Sequence, residues 1–390
     1  MKNPVVLTLA LGLATVFLTG ANTFTEATVS ESKGVRDFVE YWAATRLLLN
    51  GGNPYSPEEL LMVQKTAGWA GESALIMWNP PWTLSLFLPF GILNFSMGQF
   101  LWLLLHVSFI FISAQTLWRI YGNSAATRWV PWLLALTFIP VGFVLIIGQV
   151  SPLLLAGLTA FLHFERKKNW FALGAATTIL SIKPHLLYLF WILLILWIWQ
   201  QRQWRIALGA LSTGLCAALI PLLLDGRIYA EYFALYGING ITKPLDWPAP
   251  TLRNIFVLLL HLDSIWLQLA PSVLAVGWVL YYWRRHKHDW QWIEHLPLIV
   301  LVSVTTSAFA WTYDQVVFLP AIIQGASWLA HQRLPWYKSF AALLYIAVDL
   351  AHGAMRVFVA EELGYFWLAP ALLAAYLVYL REARRNLRPT

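Results

Sequence analysis

Charge is scarce in this chain. Only 12% of its 390 residues are Asp, Glu, Lys or Arg, about half the share of an ordinary soluble domain. So little charge cannot cover a water-facing surface of this size. There is one cysteine, Cys216. An internal disulfide is therefore excluded, and with it a disulfide-stapled secreted scaffold. The chain has no low-complexity tract, no clear internal repeat, no phosphate-cradling glycine loop and no dinucleotide fingerprint. These absences speak against a nucleotide-driven pump and against a nucleotide-sugar enzyme on the cytoplasmic side. It also lacks a His-x-x-x-His pair and an Asp-x-Asp motif, so no metal and no cofactor is expected.

What is abundant is apolar sequence: 59% of residues are hydrophobic and 15% aromatic. Disorder and nucleic-acid binding are excluded by that balance. The apolar runs are long and continuous rather than alternating, which favours helices over a barrel. The expectation is an all-α polytopic membrane protein, one domain over 1–390, with about twelve transmembrane helices.

The formal net charge is +7. Its carriers sit in short gaps between apolar runs: Arg119 and Arg128; Arg166 to Lys168; Arg202 and Arg205; Arg284, Arg285 and Lys287; Arg333 and Lys338; and Arg381 to Arg388. Under the positive-inside rule these gaps face the cytoplasm, as do both termini. The positive charge thus reads as topology in a cell membrane rather than as a polyanion site, and no nucleic-acid partner is expected.

The first apolar run, 3–20, has the pattern of a cleaved signal peptide or of an uncleaved signal anchor, and the anchor is the better reading because everything downstream is also membrane-embedded. The stretch that follows, about 21–79, is the longest polar one and becomes a large first outer loop. Phe38, Tyr41, Trp42, Leu47 and Leu48 recur at amphipathic spacing before Asn50-Gly51-Gly52. Ser56 is placed to cap a second short helix. Both are expected as juxtamembrane helices at the interface, anchored by Trp42, Trp69, Trp78 and Trp82. Basic gaps then recur about every 35 residues, too close for one helix to leave and return. Each interval must hold a pair of short helices, turning at Gly148-Gln149 and at Lys183-Pro184-His185. Segment 80–93 either crosses or dips and returns. A second outer loop spans about 225–262, a third Ala310–Asp314, and a fourth lies near Glu361 and Glu362.

Acids and polar aromatics collect on the outer side, so the chemistry is expected there. Asp37 stands where the chain re-enters the membrane, with Tyr41 one turn on. It can act as a general base for a hydroxyl, or simply favour a helix start. Lys183 and His185 flank a helix-breaking proline between apolar runs. They suit a phosphate, although a lysine can also snorkel to the interface. Trp311, Tyr313 and Asp314 suit a sugar, with rings on its face and a carboxylate on its hydroxyls; an aromatic belt is the alternative. Arg253, with Asn254, and Gln149 at its turn are weaker candidates of the same kind. Asp349, His352 and Arg356 share one helical face and read as an internal salt-bridged cluster. His106 and His163 read as core or interfacial.

Several motifs together resemble glycosyltransferase family 87. They are Asp37-Phe38-Val39-Glu40-Tyr41-Trp42-Ala43-Ala44, then Leu47 to Tyr55 through Asn50-Gly51-Gly52-Asn53-Pro54, and Trp78-Asn79-Pro80-Pro81-Trp82. Pro89-Phe90, Trp102, Gly148-Gln149-Val150-Ser151-Pro152-Leu153-Leu154 and Lys183-Pro184-His185 continue the series. Many relatives carry a Ser-Pro-x-Ser-Trp-x-His-His run near the third outer loop. Here Ser307 opens a run in which Tyr313 and Asp314 replace the histidines. The resemblance implies a C-type integral-membrane fold and a polyprenyl-phosphate-sugar donor, with mannose the first sugar to consider. It implies a lipid or glycan acceptor at the outer leaflet and an inverting, metal-independent hexosyl transfer. By this likeness Asp37 takes the place of the family's first-loop catalytic acid, and Lys183 contacts the donor phosphate. His185 and Arg253 are further candidates for that phosphate, and Tyr41, Tyr55, Asn79, Gln149, Trp311, Tyr313 and Asp314 are expected to contact substrate. A transporter or flippase of lipid-linked glycans is the alternative, but it wants polar groups at the bilayer midplane.

Overall fold

A computed structural model describes residues 37–387, apart from 123–126, 128, 239, 256–264, 332–334 and 360. The proposed signal anchor at 3–20 lies outside the described residues. The protein is 78% helix, and no strand occurs among the described residues.

The elements follow the apolar runs. The first loop supplies α1 (Phe38–Leu49) and α2 (Pro57–Thr66). A 3-10 turn, Pro81–Thr83, leads into α3 (Leu84–Ile92), and α4 (Phe95–Ile120) follows. Next come α5 (Trp129–Thr137), α6 (Ile139–Ile147), α7 (Ser151–Arg166) and α8 (Trp170–Leu180). A 3-10 turn at Pro184–Leu187 opens α9 (Tyr188–Gln201), which precedes α10 (Trp204–Leu224) and α11 (Ile228–Leu235). The C-terminal part holds α12 (Ala270–His286), α13 (Trp292–Thr305) and a 3-10 segment, Thr312–Phe318. It closes with α14 (Leu319–His331), α15 (Pro335–Phe358) and α16 (Leu368–Leu387).

Four helical stretches among the described residues are long and apolar enough to cross a membrane: Phe95–Ile120, Pro184–Gln201, Trp204–Leu224 and Glu362–Arg381. The bent pair α5–α6, turned by 67° at its break, makes a fifth. Three further apolar helices among the described residues, α3 with its leading turn, α8 and α13, are shorter than the roughly 20 residues that a straight crossing takes. The ambiguous segment 80–93 is thus a short helix with Pro89 inside it.

Ser56 caps α2 as its sequence requires, its hydroxyl accepting the Glu59 N–H at 3.3 Å. α1 departs from the expectation of a helix lying half-exposed at an interface: ten of its twelve residues are buried. Trp42 is not an interfacial anchor. It is 5% exposed, and its indole N–H donates to the Leu93 carbonyl at 3.0 Å. The cause is aromatic packing. Phe38 packs on Trp102, Tyr41 on Phe87 and Trp42 on Phe95, with centroids 4.7–5.6 Å apart.

α8 and α10 touch backbone to backbone. A Cβ on Gly174 would collide with the Ile206 carbonyl, and one on Gly209 with the Phe171 carbonyl. Small residues permit this approach, the usual way helices associate where no water drives them together.

The two ends of the bundle differ in chemistry. At one end the basic gaps meet. Arg166 donates to the Arg119 and Ile120 carbonyls that finish α4. Glu165 accepts the Trp292 N–H at 2.9 Å, and Ser327 donates to the Tyr121 carbonyl at 3.2 Å. α7 then runs 16 residues, about 24 Å at helical rise, to Ser151 at the other end, where the acids gather.

The break between α5 and α6 frees a backbone N–H, that of Ile139. The buried Asp349 accepts it at 3.1 Å. Beside this break lies a cavity of about 250 Å³ between α5, α13, α14, α15 and α16, walled mostly by apolar side chains such as Leu133, Leu301, Phe318 and Ile322.

Candidate active site

The centre of the site is a helix break. α6 ends at Gly148, which adopts a left-handed conformation at φ +82° and so relieves the strain a Cβ would bring. Its carbonyl accepts the Trp102 indole N–H at 2.7 Å. A Cβ there would also press on Phe38 Cβ at 3.3 Å. The break holds Gln149 inside the bundle, 6% exposed.

Gln149 is the hub. Its amide nitrogen donates to Asp37 Oδ2 at 2.7 Å and, less closely, to Glu40 Oε1 at 3.4 Å. Its amide oxygen accepts from the Tyr41 hydroxyl at 2.7 Å and from Lys183 Nζ at 3.2 Å. One planar group thus joins an acidic pair to a cation. Two carboxylates on one side and two donors on the other fix which way the amide points.

Asp37 stands at the N-cap position of α1, yet its side chain makes no capping bond. It turns to Gln149 instead and stays half-exposed. The helix-start alternative for this acid is therefore not what its carboxylate does. Glu40, one turn on, is buried. Desolvation first, then the Asp37 charge, push its carboxyl up to about 8. Near neutral pH the Glu40 carboxyl thus favours its protonated form.

Lys183 is placed by the second helix break. It ends the turn after α8, and Asn79 braces that turn by donating to the Ile182 carbonyl at 3.1 Å. The ammonium pairs with Asp314 Oδ1 at 2.8 Å and sits 5.0 Å from the Tyr313 ring centroid. Lys183 is 9% and Asp314 1% exposed. Such a buried pair holds only if its remaining lone pairs are satisfied. They are: Ser151 donates to Asp314 Oδ1 at 2.5 Å, and the Trp311 N–H to Oδ2 at 3.0 Å.

The other expected residues divide. The Trp311 and Tyr313 rings lie parallel, 6.1 Å apart, beside the cation. Asp314 does not offer a free carboxylate to sugar hydroxyls; both its oxygens are engaged, and it holds Lys183. His185 stacks on Phe309 at 3.9 Å. Arg253 is bound elsewhere, by Gln268 Oε1 at 2.6 Å and the Leu245 carbonyl at 2.6 Å. It therefore braces the loop that follows α11. Tyr55 is buried edge-on against Tyr232, at 5.2 Å, away from the hub's hydrogen bonds.

Glu40 and Ser151 belong to the site but were not singled out by the sequence. Glu40 had a local signal, three residues after Asp37 on one helix face. Ser151 had none beyond its place in a motif. Arg356 and Glu362 form a second layer. They make an ion pair, and the Arg356 guanidinium lies 4.1 Å from the Phe143 ring centroid and 3.8 Å from that of Tyr365. Glu362 Oε2 accepts the Thr312 hydroxyl at 2.6 Å, two residues before Asp314. No group of three or more His, Cys, Asp or Glu side chains among the described residues is placed to hold a metal ion.

The family model of glycosyltransferase family 87 matches residues 78–307, more than half of the chain. The chain belongs to glycosyltransferase family 87. Comparison with curated proteins and with solved structures gives no match. Within family 87 it is a glycosyltransferase built on membrane helices. The matched span contains Gln149 and Lys183 but begins after Asp37 and ends before Asp314. The two acids that face Gln149 and Lys183 thus come from the flanking segments of this family 87 chain.

Proposed function

We propose that the protein transfers a hexose, with mannose the first candidate, from a polyprenyl-phosphate-sugar donor to a lipid or glycan acceptor at the outer face of a cell membrane. About twelve crossings with both termini cytoplasmic accompany this reading. The observation that supports it is the Asp37–Gln149–Lys183 chain of hydrogen bonds, which brings a carboxylate and a cation to one amide.

The chemistry is a single displacement. The acceptor hydroxyl oxygen attacks the anomeric carbon and its proton passes to Asp37. The bond from that carbon to the phosphate oxygen breaks, and its electron pair stays on the phosphate. Lys183 meets the charge that gathers on the leaving phosphate. One carboxylate base is enough for inversion, unlike glycosidases, which set two around the bond. A neutral Glu40 avoids a second negative charge next to the base. The apolar cavity walled in part by Phe318, at the end of the segment that carries Asp314, supports a lipid-linked donor.

The test is incubation of the protein in proteoliposomes with polyprenyl-phosphate-mannose and membrane-derived acceptors, read by mass spectrometry. The reading expects a mannosylated product together with free polyprenyl phosphate. Donor that crosses the bilayer unchanged, with no product, assigns a transporter instead.

A further inference from the structure

At the basic end of the bundle three turns come together: 167–169 between α7 and α8, 202–203 between α9 and α10, and 287–291 between α12 and α13. A chain of tryptophan rings holds them. Trp170 packs on Trp197 at 5.8 Å and Trp197 on Trp292 at 5.7 Å. Trp290 then joins Trp292 at 5.3 Å to Trp283 at 5.0 Å. All but Trp170 are buried. Gln200 fastens the end of α9 to the third turn by donating to the Lys287 carbonyl at 2.8 Å.

The cations on this rigid plate are not neutralised. Lys167, Lys168, Arg202, Arg205 and Lys287 make no ion pair among the described residues, and neither do Asp289 and Glu294 beside them. Glu165 is turned inward to the Trp292 N–H. Arg205 also stands in the first turn of α10, the end where the helix dipole disfavours a cation. An anion bound there removes that cost.

The turn at 202–203 fixes the depth of the plate. α9 with its leading turn and α10 are each long and apolar enough to cross a membrane, and two residues join them. Such a turn lies at the level of the lipid head groups. Trp199 and Trp204, 73% and 55% exposed, meet edge to face at 5.9 Å across it. Amphipathic rings favour that level. One turn below Trp199 on α9, Ile195 is exposed; below Trp204 on α10, so are Leu208 and Leu211. Two apolar strips, one on each helix, thus run up to Arg202 and Arg205. Topology asks only that positive charge be on one side of the membrane. It does not ask that the charge be held unpaired at the head of two apolar strips. A negative head with two apolar tails fits that arrangement.

We propose that the basic end binds an anionic bilayer phospholipid. Its phosphate lies on Arg202 and Arg205, its acyl chains lie along Ile195 and along Leu208 and Leu211, and the neighbouring lysines add to the attraction. The site is separate from the Asp37–Lys183 site and stands whether or not that site transfers sugar.

The test is native mass spectrometry of the full chain in nonionic detergent, titrated with phosphatidylglycerol or phosphatidylcholine of matched acyl chains. Phosphatidylglycerol should bind about ten-fold tighter or more. Arg202→Gln and Arg205→Gln should each weaken it about five-fold and leave phosphatidylcholine unchanged. Arg227→Gln removes an exposed cation at the far end of α10 and should keep the wild-type preference. Should the arginine variants lose their folded melting transition, rising salt on the wild type takes their place: the preference should shrink several-fold between about 0.05 and 0.5 M. Equal binding of the two lipids overturns the proposal, as does an unchanged preference in both folded arginine variants or across the salt range. An equal loss in Arg227→Gln assigns the preference to net charge and overturns the site. Displacement of the lipid by equimolar glycerol phosphate assigns a free-phosphate site, and tighter binding of polyprenyl phosphate assigns an isoprenoid site; either overturns the phospholipid.

Discussion

One amide separates Asp37 from Lys183. The Gln149 side chain donates to the carboxylate at 2.7 Å and accepts from the ammonium at 3.2 Å. The two charged groups are far apart in sequence: Asp37 stands at the start of α1 and Lys183 at the break after α8. An amide between them keeps the two from pairing with each other, while Lys183 pairs with Asp314 instead.

Replacing that amide tests its part. Gln149→Leu keeps the side chain's approximate size and removes every hydrogen bond. It frees Asp37 and Lys183 to shift by the order of 1 Å, which costs about 10²-fold in turnover when a reacting group is misplaced. Steady-state transfer kinetics should show the loss chiefly in kcat. Turnover within two-fold of wild type would remove Gln149 from the positioning of the site.

Glu40 should give the enzyme an alkaline limb. Its carboxyl is held up to about 8 by burial, above its unfolded value, so the folded state keeps a proton that the unfolded state has lost. Stability contributed in this way is full at low pH and declines as pH rises from about 4.5 to about 8. Glu40→Gln cannot ionise. It should flatten the fall in melting temperature across that window and move the alkaline limb of kcat/KM upward. A pH profile that superimposes on wild type contradicts the assignment.

Asp314 is expected to act through Lys183. Removing one member of a buried ion pair leaves the other uncompensated, at about 3–5 kcal/mol. Asp314→Ala should lose about that much stability in chemical denaturation. In the folded fraction, donor binding should weaken more than turnover falls. An unchanged denaturation midpoint would mean that the pair is not held as described.

The Arg356–Glu362 pair should affect the site at one remove. Glu362 fixes the Thr312 hydroxyl while its other oxygen holds Arg356. Glu362→Gln weakens a charge-assisted bond, worth about 1.5–3 kcal/mol. Thermal unfolding should register that loss. Turnover should fall about ten-fold, equivalent to about 1.4 kcal/mol in the barrier, with little change in KM. A loss of stability without any loss of turnover would confine this pair to the fold.

Local signals were readable where local chemistry decides. The Gly148 break, the Lys183-Pro184 break and the Ser56 cap each follow from residue types with strong backbone preferences. The basic gaps foretold one end of the bundle. What the sequence concealed depends on pairing between distant segments. Nothing near Trp42 says that Phe95 will cover it. Nothing near Asp314 says that Ser151 and Lys183 will occupy its carboxylate. Arg253 looked like a phosphate ligand because an isolated loop cation has no visible partner; Gln268 supplies one from fifteen residues on. Arg356 read as part of an internal cluster with Asp349 and His352; it does donate to His352 at 3.3 Å, while Asp349 binds the Ile139 N–H and Glu362 and two rings complete the cluster.

The most direct test of the account is single-turnover transfer from labelled polyprenyl-phosphate-mannose by Asp37→Asn protein with a wild-type melting temperature. If Asp37 takes the acceptor proton, donor affinity is kept and the rate of sugar transfer drops about 10²- to 10⁴-fold. A rate equal to wild type in that variant contradicts the account at its centre.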